Sequence, residues 1–370
     1  MLNIILSFDY ELFLGKNYVT EKAALFDPTD KIMRLLSECN ISATFFADVC
    51  SVFAYHKEFP DCEYCKGFSD QLQELNRNGN DVQLHIHPHW MKARYENGWQ
   101  FEESAYRIHY FMSGSNSVTS APTGKMDVVG QYVNKNEDCL NAEKIISMGI
   151  DYLEALIGKQ DKNYRCVSYR GGGFCVQPTK ELFQLLYDKG IKVDSSVALK
   201  QRMYSEAHRY DYHINIDKLN WISSSGIIEV PIGAVQNSLL QRIIHGTDFA
   251  SLRGNETRGE AIHTVKSKKM NKLKYLFIYN TTQKTMSLDS MPYKQLLYGL
   301  QKYYKKYNCR NEEVYLAVLG HPKMLDDVRY SNLEAFIKEI QKCYQDKYRF
   351  VTLREAYEDL KDKNLLSYDV

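Results

Sequence analysis

At Asp81-Val82-Gln83-Leu84-His85-Ile86-His87-Pro88-His89-Trp90 the chain carries three of its ten histidines, at alternate positions. Alternate side chains of an extended chain share one face, so His85, His87 and His89 are predicted to point to one place at the end of a strand. Pro88 disfavours a helical conformation of His87 and ends the strand. Neutral imidazole is a common ligand of zinc and related metals. The segment therefore indicates a metal site; a half-exposed strand that happens to carry histidines is the alternative.

Strands and helices are predicted to alternate on both sides of this segment. Short apolar runs indicate buried strands, and apolar residues at every third or fourth position indicate helices. The predicted strands are Leu2–Phe8, Ile41–Ala47, Tyr164–Tyr169, Ile191–Ser196, Gly226–Ile232, Glu313–Leu319 and Tyr348–Val351. The predicted helices begin at Asp27, Phe68, Asn141, Pro178, Pro292, Asn332 and Thr352. Asp27 is expected to cap the first helix, and Thr352 and Glu355 to form a capping box at the last. Such alternation is the pattern of parallel βαβ units.

The composition is that of a globular protein. Of the 370 residues, 44% are hydrophobic and 25% are charged, which allows a sizeable core. The 47 basic residues balance 46 acidic ones, so the net charge of +1 argues against binding to nucleic acid or to a membrane surface. We expect one domain over residues 1–370, with long insertions at about 92–137 and 235–290, where the periodicity weakens.

The cysteines and the chain start bear on location. No apolar run is long enough to span a membrane, and the first residues lead into a predicted strand rather than a signal peptide. We therefore expect a cytoplasmic protein with reduced cysteines. Among nine cysteines, only Cys62 and Cys65 form a close C-x-x-C pair. A single pair of this kind is weak evidence for a structural metal or a disulfide.

Polar residues lie where the predicted strands end. Asp9 and Glu11 follow the first strand, the histidines end the strand at 81–86, and Arg170 precedes three glycines. Asp194 and His321 lie at the ends of later strands. The carboxyl ends of parallel strands meet at one edge, where α/β proteins place their active sites. The sequence thus predicts one site built from residues far apart in the chain.

A family resemblance rests on motifs that share these strand ends: Ser7-Phe8-Asp9, Val82-Gln83-Leu84-His85 with His89, Tyr169-Arg170, Val193-Asp194-Ser195-Ser196, Glu229-Val230-Pro231 and Leu319-Gly320-His321-Pro322. In this order they resemble the motifs of the polysaccharide deacetylases, carbohydrate esterase family four, from residue 1 to about 357. The resemblance implies an α/β fold of the distorted (β/α)7 barrel type, with both insertions at the carboxyl end of the strands. It also implies a divalent metal cofactor, for which we expect Zn²⁺.

The resemblance implies roles for individual residues. Asp9 matches the general base, and Arg170 matches the arginine that orients it. His85 and His89 match the metal-binding pair, and His321 matches the general acid. These roles agree with the chemistry, because a metal acidifies water, a carboxylate accepts its proton and an imidazole returns one to a leaving nitrogen.

Substrate contacts are expected next to these residues. His87 and Trp90 lie beside the metal-binding pair, and Trp90 would stack on a sugar ring unless it packs in the core. Gly172, Gly173 and Phe174 follow Arg170, and backbone N–H groups in this turn are expected to face a developing oxyanion.

The chain departs from the family pattern at two positions. Tyr10 stands where the family has its second aspartate, and a tyrosine with a pKa near 10 is a poor ligand. Glu11 shares a strand face with Asp9, so we predict that Glu11 completes the metal site with His85 and His89. The alternative is that Asp9 itself binds the metal. Gly171 replaces the family's proline after the arginine.

The sequence therefore predicts a metal-dependent hydrolase that removes an N-acetyl group from an acetamido sugar. Without an export signal, a nucleotide- or lipid-linked sugar of surface-glycan assembly is the expected substrate. Two alternatives stay open. One is hydrolysis of a different C–N bond in a small molecule, and the other is a non-catalytic sugar-binding protein.

Overall fold

A computed structural model describes residues 1–14, 16–112, 140–236, 244–246, 259–260 and 283–370. Its main element is a ten-stranded, mostly parallel sheet. The strands are β1 (Leu2–Tyr10), β2 (Thr44–Asp48), β3 (Asp81–Ile86), β4 (Ser168–Gly171), β5 (Val193–Asp194), β6 (Trp221–Ile222), β7 (Ile228–Glu229), β8 (Val314–Gly320), β9 (Tyr348–Phe350) and β10 (Leu366–Ser367). Their order is β8-β1-β2-β3-β4-β5-β7-β6-β10, with β9 also paired to β1. Only β6 and β7 pair in antiparallel fashion in this sheet.

The sheet is curled. Ile232, just after β7, forms parallel bridges both to Ala198 and to Ala317 in β8. These bridges bring the segment after β7 back to the first strand of the order. The α/β class and a curled parallel sheet are therefore confirmed, whereas the complete (β/α)7 barrel, the single-domain organisation and the placement of both insertions stay predictions. Residues 113–137 and most of 237–282 lie outside the described residues.

The register aligns the carboxyl ends of the central strands. Asp9 pairs with Phe46, Asp48 with His85, and His85 with Arg170. Strands β1 to β4 are buried along their whole length, in agreement with the continuous apolar runs of the sequence. Polar residues at these ends are thus held by the most buried part of the molecule.

Eight helices of eight or more residues are described among these ranges: α1 (Asp27–Glu38), α2 (Val49–Glu58), α3 (Glu63–Arg77), α4 (Ala142–Ile157), α5 (Thr179–Asp188), α6 (Tyr293–Lys306), α7 (Asp327–Cys343) and α8 (Leu353–Leu360). The capping box of Thr352 and Glu355 is confirmed. The cap at Asp27 is wrong, because a π-helix at Lys22–Phe26 runs directly into α1 and Phe26 is already helical. Helix α2 was not predicted from the sequence. No described helix has the length and apolarity to cross a membrane.

Candidate active site

The end of β1 brings two carboxylates to the site. Asp9 and Glu11 are both buried, with 3% of their surface exposed. Tyr10 between them faces the other way, and its hydroxyl donates to Gln71 Oε1 at 2.7 Å. The strand alternation therefore places both acids on one face, as predicted, and removes Tyr10 from it.

Glu11 meets two histidines from the end of β3. Its Oε2 lies 2.5 Å from His87 Nε2 and 3.1 Å from His85 Nε2. His85 Nδ1 donates to the backbone carbonyl of Arg170 at 2.8 Å, which turns Nε2 towards Glu11. Glu11, His85 and His87 each offer one ligand atom, and these atoms all lie within 4.8 Å of one another.

The structure does not bring His89 to this centre, in contrast to the predicted set of Glu11, His85 and His89. The strand ends at Ile86, and a 3₁₀ turn begins at Pro88, so the alternation of side chains stops at His87. His89 is instead buried in an aromatic cluster, stacked on Tyr106 with ring centroids 4.0 Å apart. Neither ring nitrogen of His89 has a hydrogen-bond partner among the described residues.

Arg170 holds Asp9. Its Nη1 donates to Asp9 Oδ1 at 2.6 Å, and its Nη2 donates to Ser7 Oγ and Ser195 Oγ, both at 3.0 Å. The guanidinium also lies over the ring of Phe46, 4.2 Å from its centroid. Arg170 is fully buried, so this network both satisfies its charge and fixes one oxygen of Asp9. The other oxygen, Oδ2, is 3.6 Å from His321 Nε2.

His321 follows β8 and is oriented by an acid that the sequence analysis missed. Its Nδ1 lies 2.7 Å from Asp289 Oδ2, and its backbone N–H donates to Asp289 Oδ1 at 3.0 Å. The other ring nitrogen, Nε2, faces Asp9 at 3.6 Å and Glu11 at 3.5 Å. Asp289 lies within the stretch read as an insertion, where no motif marks it.

Two further charged residues border the centre without having been predicted. Lys323 Nζ donates to Glu11 Oε1 at 2.6 Å and to the carbonyl of Leu12 at 3.0 Å. Asp48, at the end of β2, accepts the backbone N–H of His87 at 3.2 Å. Asp48 carried a usable signal, because it follows a predicted buried strand as Asp9 does. For Lys323, the only signal in the sequence is its position two residues after His321.

The predicted substrate-contacting residues lie in different surroundings. Trp90 is 1% exposed and packs against Tyr55 and other rings, so it offers no face to a sugar. Gly172 is buried, and a Cβ there would lie 2.7 Å from His87 Nδ1, so this glycine makes room for the histidine. Gly173 and Phe174 are half-buried, both with positive φ, and their contact with substrate stays a prediction.

The charges of the site depend on one another. Burial raises the pKa of Asp9, but Arg170, with His85 and His321, outweighs it and holds this pKa below its usual value. Burial likewise raises the pKa of Glu11, but Lys323 and His87 lower it well below the usual value. Burial lowers the pKa of His321, yet Asp289 and Asp9 raise it overall. The site thus combines ionised acids with a histidine that tends to carry a proton.

The residues present fit a divalent metal ion. Two imidazoles and one carboxylate form the three-residue donor set that catalytic zinc sites use, with a further position left for water or substrate. The hydrogen bond from His85 to the backbone fixes the tautomer that such a site needs.

Several solved structures share the general arrangement of the chain. One, described as a polysaccharide deacetylase from Mycobacterium smegmatis, has 12% identity and a TM-score of 0.49, and the match covers 100% of this chain and 93% of that chain. A second, described as a polysaccharide deacetylase from Pseudomonas aeruginosa, has 12% identity and a TM-score of 0.42, with 98% and 92% covered. The allantoinase PuuE has 12% identity and a TM-score of 0.44, with 98% and 91% covered.

No family model and no curated protein sequence matches the chain. Polysaccharide deacetylases are thus among the similar structures, as the motif resemblance predicts. The identities are low and these TM-scores lie below 0.5, so the similarities do not assign an activity to this chain.

Proposed function

We propose that the protein is a metal-dependent hydrolase that removes the N-acetyl group from an acetamido sugar. The observation that carries this proposal is the convergence of three units at one sheet edge. These are the Glu11–His85–His87 cluster, Asp9 held by Arg170, and His321 held by Asp289. Amide hydrolysis needs an activated water, a base and an acid, and the three units match these needs in turn.

Glu11, His85 and His87 would hold the metal, with Zn²⁺ as the expected ion. When bound, such an ion acidifies a water molecule and polarises the amide carbonyl. This ligand set takes His87 in place of the His89 of the family motif. It leaves Asp9 outside the cluster, with Oδ2 3.9 Å from His85 Nε2.

The remaining residues move the protons. Asp9 accepts the proton of the attacking water at Oδ2, because Oδ1 is held by Arg170. His321 donates the proton at Nε2 to the leaving nitrogen as the C–N bond breaks, because Nδ1 is held by Asp289. The products are acetate and the free amine of the sugar, and the proton taken by Asp9 balances the one that His321 gives.

Acetate release together with metal content tests the proposal. The zinc-loaded protein is expected to release acetate from at least one substrate in a panel of acetamido monosaccharides, oligosaccharides and nucleotide-linked sugars. Asp9→Asn should keep its metal and lose turnover by roughly 10²- to 10⁴-fold, the range of acid–base groups. Asp346→Asn, at an exposed position, is the control and should behave as wild type.

The alternatives give different results. Ammonia or urea release from cyclic amides, with no acetate from any sugar, would assign the site to another C–N bond. Sugar binding without any hydrolysis at full metal occupancy would indicate a binding protein.

A further inference from the structure

The C-x-x-C pair of the sequence, Cys62 and Cys65, lies at the start of helix α3 and is not part of the proposed hydrolytic site. Cys62 is the N-cap residue of this helix, and Cys65 lies in its first turn. Both residues are thiols in the structure, and their sulfur atoms are in contact, 2.7 Å apart. Two thiols that face each other at a helix start are the arrangement from which a C-x-x-C disulfide forms.

The two thiols differ in their access to solvent. Cys62 is half-buried and lines a cleft of about 660 Å³. Cys65 is 6% exposed, and its thiol donates to the carbonyl oxygen of Val52 at 3.7 Å. A molecule from solvent therefore reaches Cys62 first. Cys65 is placed to attack a sulfur that is already bonded to Cys62, which is the second step of thiol–disulfide exchange.

The N-cap position favours the thiolate form of Cys62. The backbone N–H of Cys65 donates to the Cys62 sulfur at 3.3 Å. The first N–H groups of a helix have no partner within it, and their dipoles favour a negative charge. The hydrogen bond from the Cys65 thiol, together with those from backbone N–H groups, outweighs burial, so the pKa of Cys62 lies below its usual value. Because the thiolate is the nucleophile, the more accessible thiol is also the more reactive one.

The other six cysteines of the described residues lack this combination. In five of them burial raises the pKa, which keeps the thiol protonated: Cys39, Cys50, Cys166, Cys175 and Cys309. The sixth, Cys343, is exposed at the end of helix α7 and provides an accessible comparison.

A structural metal is the other use of a cysteine pair, and the surroundings disfavour it. A structural zinc site needs four ligands, so Cys62 and Cys65 would require two more from nearby side chains. Within the described ranges, side chains suited to a metal come together in groups of three or more at the Glu11–His85–His87 cluster, and the cysteine pair belongs to no such group. The pair therefore fits electron exchange better than metal binding.

The cleft in front of Cys62 limits the molecules that can react with it. Its lining includes the rings of Tyr55 and Trp99 and the carboxylates of Glu21 and Glu63. No lysine or arginine is among the described residues that line it. Carboxylates repel an anion, whereas aromatic rings and carboxylates together suit a neutral or cationic molecule.

We propose that Cys62 and Cys65 form a redox-active dithiol that reduces small disulfide compounds without negative charge, which reach it through this cleft. The Cys62 thiolate attacks one sulfur of the compound, breaks its S–S bond and forms a mixed disulfide, and the first thiolate leaves. Cys65 then loses its proton and attacks the Cys62 sulfur, which releases the second thiolate and forms the Cys62–Cys65 disulfide. Two electrons pass from the cysteine pair to the compound, and the two protons of the pair balance those that the released thiolates take up.

Exchange with three disulfides of different charge tests the proposal. The reduced full chain is incubated at pH 7 with cystamine, bis(2-hydroxyethyl) disulfide or dithiodiglycolate, and the remaining thiols are then blocked with N-ethylmaleimide. Mass spectrometry of the tryptic peptide 58–66, which contains both cysteines, should show the loss of two hydrogens and no label. With cystamine and the neutral disulfide, the pair should oxidise about 5- to 50-fold faster than Cys343 reacts. Dithiodiglycolate should react with the pair most slowly of the three.

Single substitutions assign the two steps. Cys65→Ser should stop at a mixed disulfide on Cys62, because no second thiol is in contact with that sulfur. Cys62→Ser should leave Cys65 unreacted, because Cys65 is buried. Cys343→Ser, the control at an exposed cysteine, should leave oxidation of the pair unchanged. The measurement on the wild type decides the proposal by itself if Cys65→Ser does not fold.

Three results of the exchange test would overturn the inference: the pair stays reduced while Cys343 reacts, the wild type stops at a mixed disulfide on Cys62, or dithiodiglycolate oxidises the pair fastest. A zinc ion that is lost in both Cys62→Ser and Cys65→Ser would identify a structural metal and overturn it as well. Acetate release does not enter the exchange test, so failure of this inference leaves the proposed hydrolysis standing, and the reverse also holds.

Discussion

His87 and His89 are two residues apart but lie in different surroundings. His87 Nε2 lies 2.5 Å from a Glu11 oxygen, whereas His89 lies among aromatic rings. Burial, with His87 beside it, lowers the pKa of His89 well below its usual value, so His89 behaves as a neutral aromatic residue.

Matched substitutions at these two histidines distinguish a ligand from a packing residue. His87→Phe keeps a ring but loses the ligand atom, and we expect the bound zinc per chain to fall to a small fraction of the wild-type value. His89→Phe should keep its zinc, because no described group bonds to the nitrogens that it replaces. Zinc content measured by mass spectrometry decides. If only His89→Phe lost its zinc, the ligands would instead be His85 and His89, the two histidines of the family motif.

In the proposed mechanism, Asp289 acts through His321. Asp289→Asn keeps an oxygen for the backbone N–H of His321 but removes the negative charge beside Nδ1. The pKa of His321 should then fall, because Asp289 is the main charge that raises it. The acid form is lost at lower pH, so the alkaline limb of the kcat/KM profile should move to lower pH, and turnover at pH 8 should drop by about 10- to 10³-fold.

Zinc content and the pKa of His321 provide readouts besides activity. Asp289→Asn should bind zinc as wild type, and the imidazole resonances of His321 should report the lower pKa. An unchanged pH profile with reduced activity throughout would indicate a structural role for Asp289 and contradict the prediction.

The turn after β4 packs closely against the end of β3. A Cβ on Gly172 would lie 2.6 Å from the carbonyl oxygen of Ile86 and 2.7 Å from His87 Nδ1. Both contacts are shorter than van der Waals distance, and one is with backbone that cannot move alone. The absence of a side chain at Gly172 therefore leaves the space that the His87 ring needs.

Gly172→Ala should displace His87 and weaken zinc binding by about 10- to 100-fold, the usual effect of disturbing residues that orient a ligand. Gly190→Ala is the control for general destabilisation, because Gly190 has a φ of 98° but nothing within 4 Å of its Cβ position. The control should lower the melting temperature without a change in zinc affinity. Equal zinc affinity in Gly172→Ala and wild type would show that the turn can relax.

The sheet as a whole buries a pair of acids away from the proposed metal ligands. Asp194 and Glu229 lie opposite each other on β5 and β7 and are at most 1% exposed. Burial, followed by the neighbouring Asp194, raises the pKa of Glu229 well above its usual value. Asp194 accepts both the hydroxyl and the backbone N–H of Ser196, so the shared proton is best placed on Glu229.

Glu229→Gln mimics the protonated acid, and its effect should depend on pH. Because the pKa of Glu229 is raised in the folded state, the contribution of this residue to stability is fully present below its unfolded-state pKa. This contribution is lost as the pH rises towards the folded-state pKa. From about pH 4.5 upward, the free energy of unfolding of wild type should therefore fall relative to the variant, by up to about 1.4 kcal/mol per pH unit. Urea denaturation at several pH values measures this difference. Glu206→Gln, at an exposed position, should show none; an equally flat difference for Glu229→Gln would mean that Glu229 is ionised in the fold.

Local chemistry along the chain was enough to predict the α/β class, most central strands and the edge at which Asp9, Glu11, Arg170 and His321 meet. Buried parallel strands leave long apolar runs, and the polar residue that ends each run is visible without any structure. The capping box at Thr352 and Glu355 was also predictable from local sequence, because both partners lie within one turn.

The tertiary fold decided what depends on contacts between distant segments. His87 rather than His89 meets Glu11 because the strand ends at Ile86, and the 3₁₀ turn that begins at Pro88 takes His89 off the face that His85 and His87 share. Asp289 reaches the site from a segment without a motif, whereas Lys323 directly follows the motif of His321. Only packing shows that these residues touch His321 and Glu11. A cleft with aromatic walls likewise joins rings from segments up to 81 residues apart, Tyr18 and Trp99, so no local pattern of the sequence contains it.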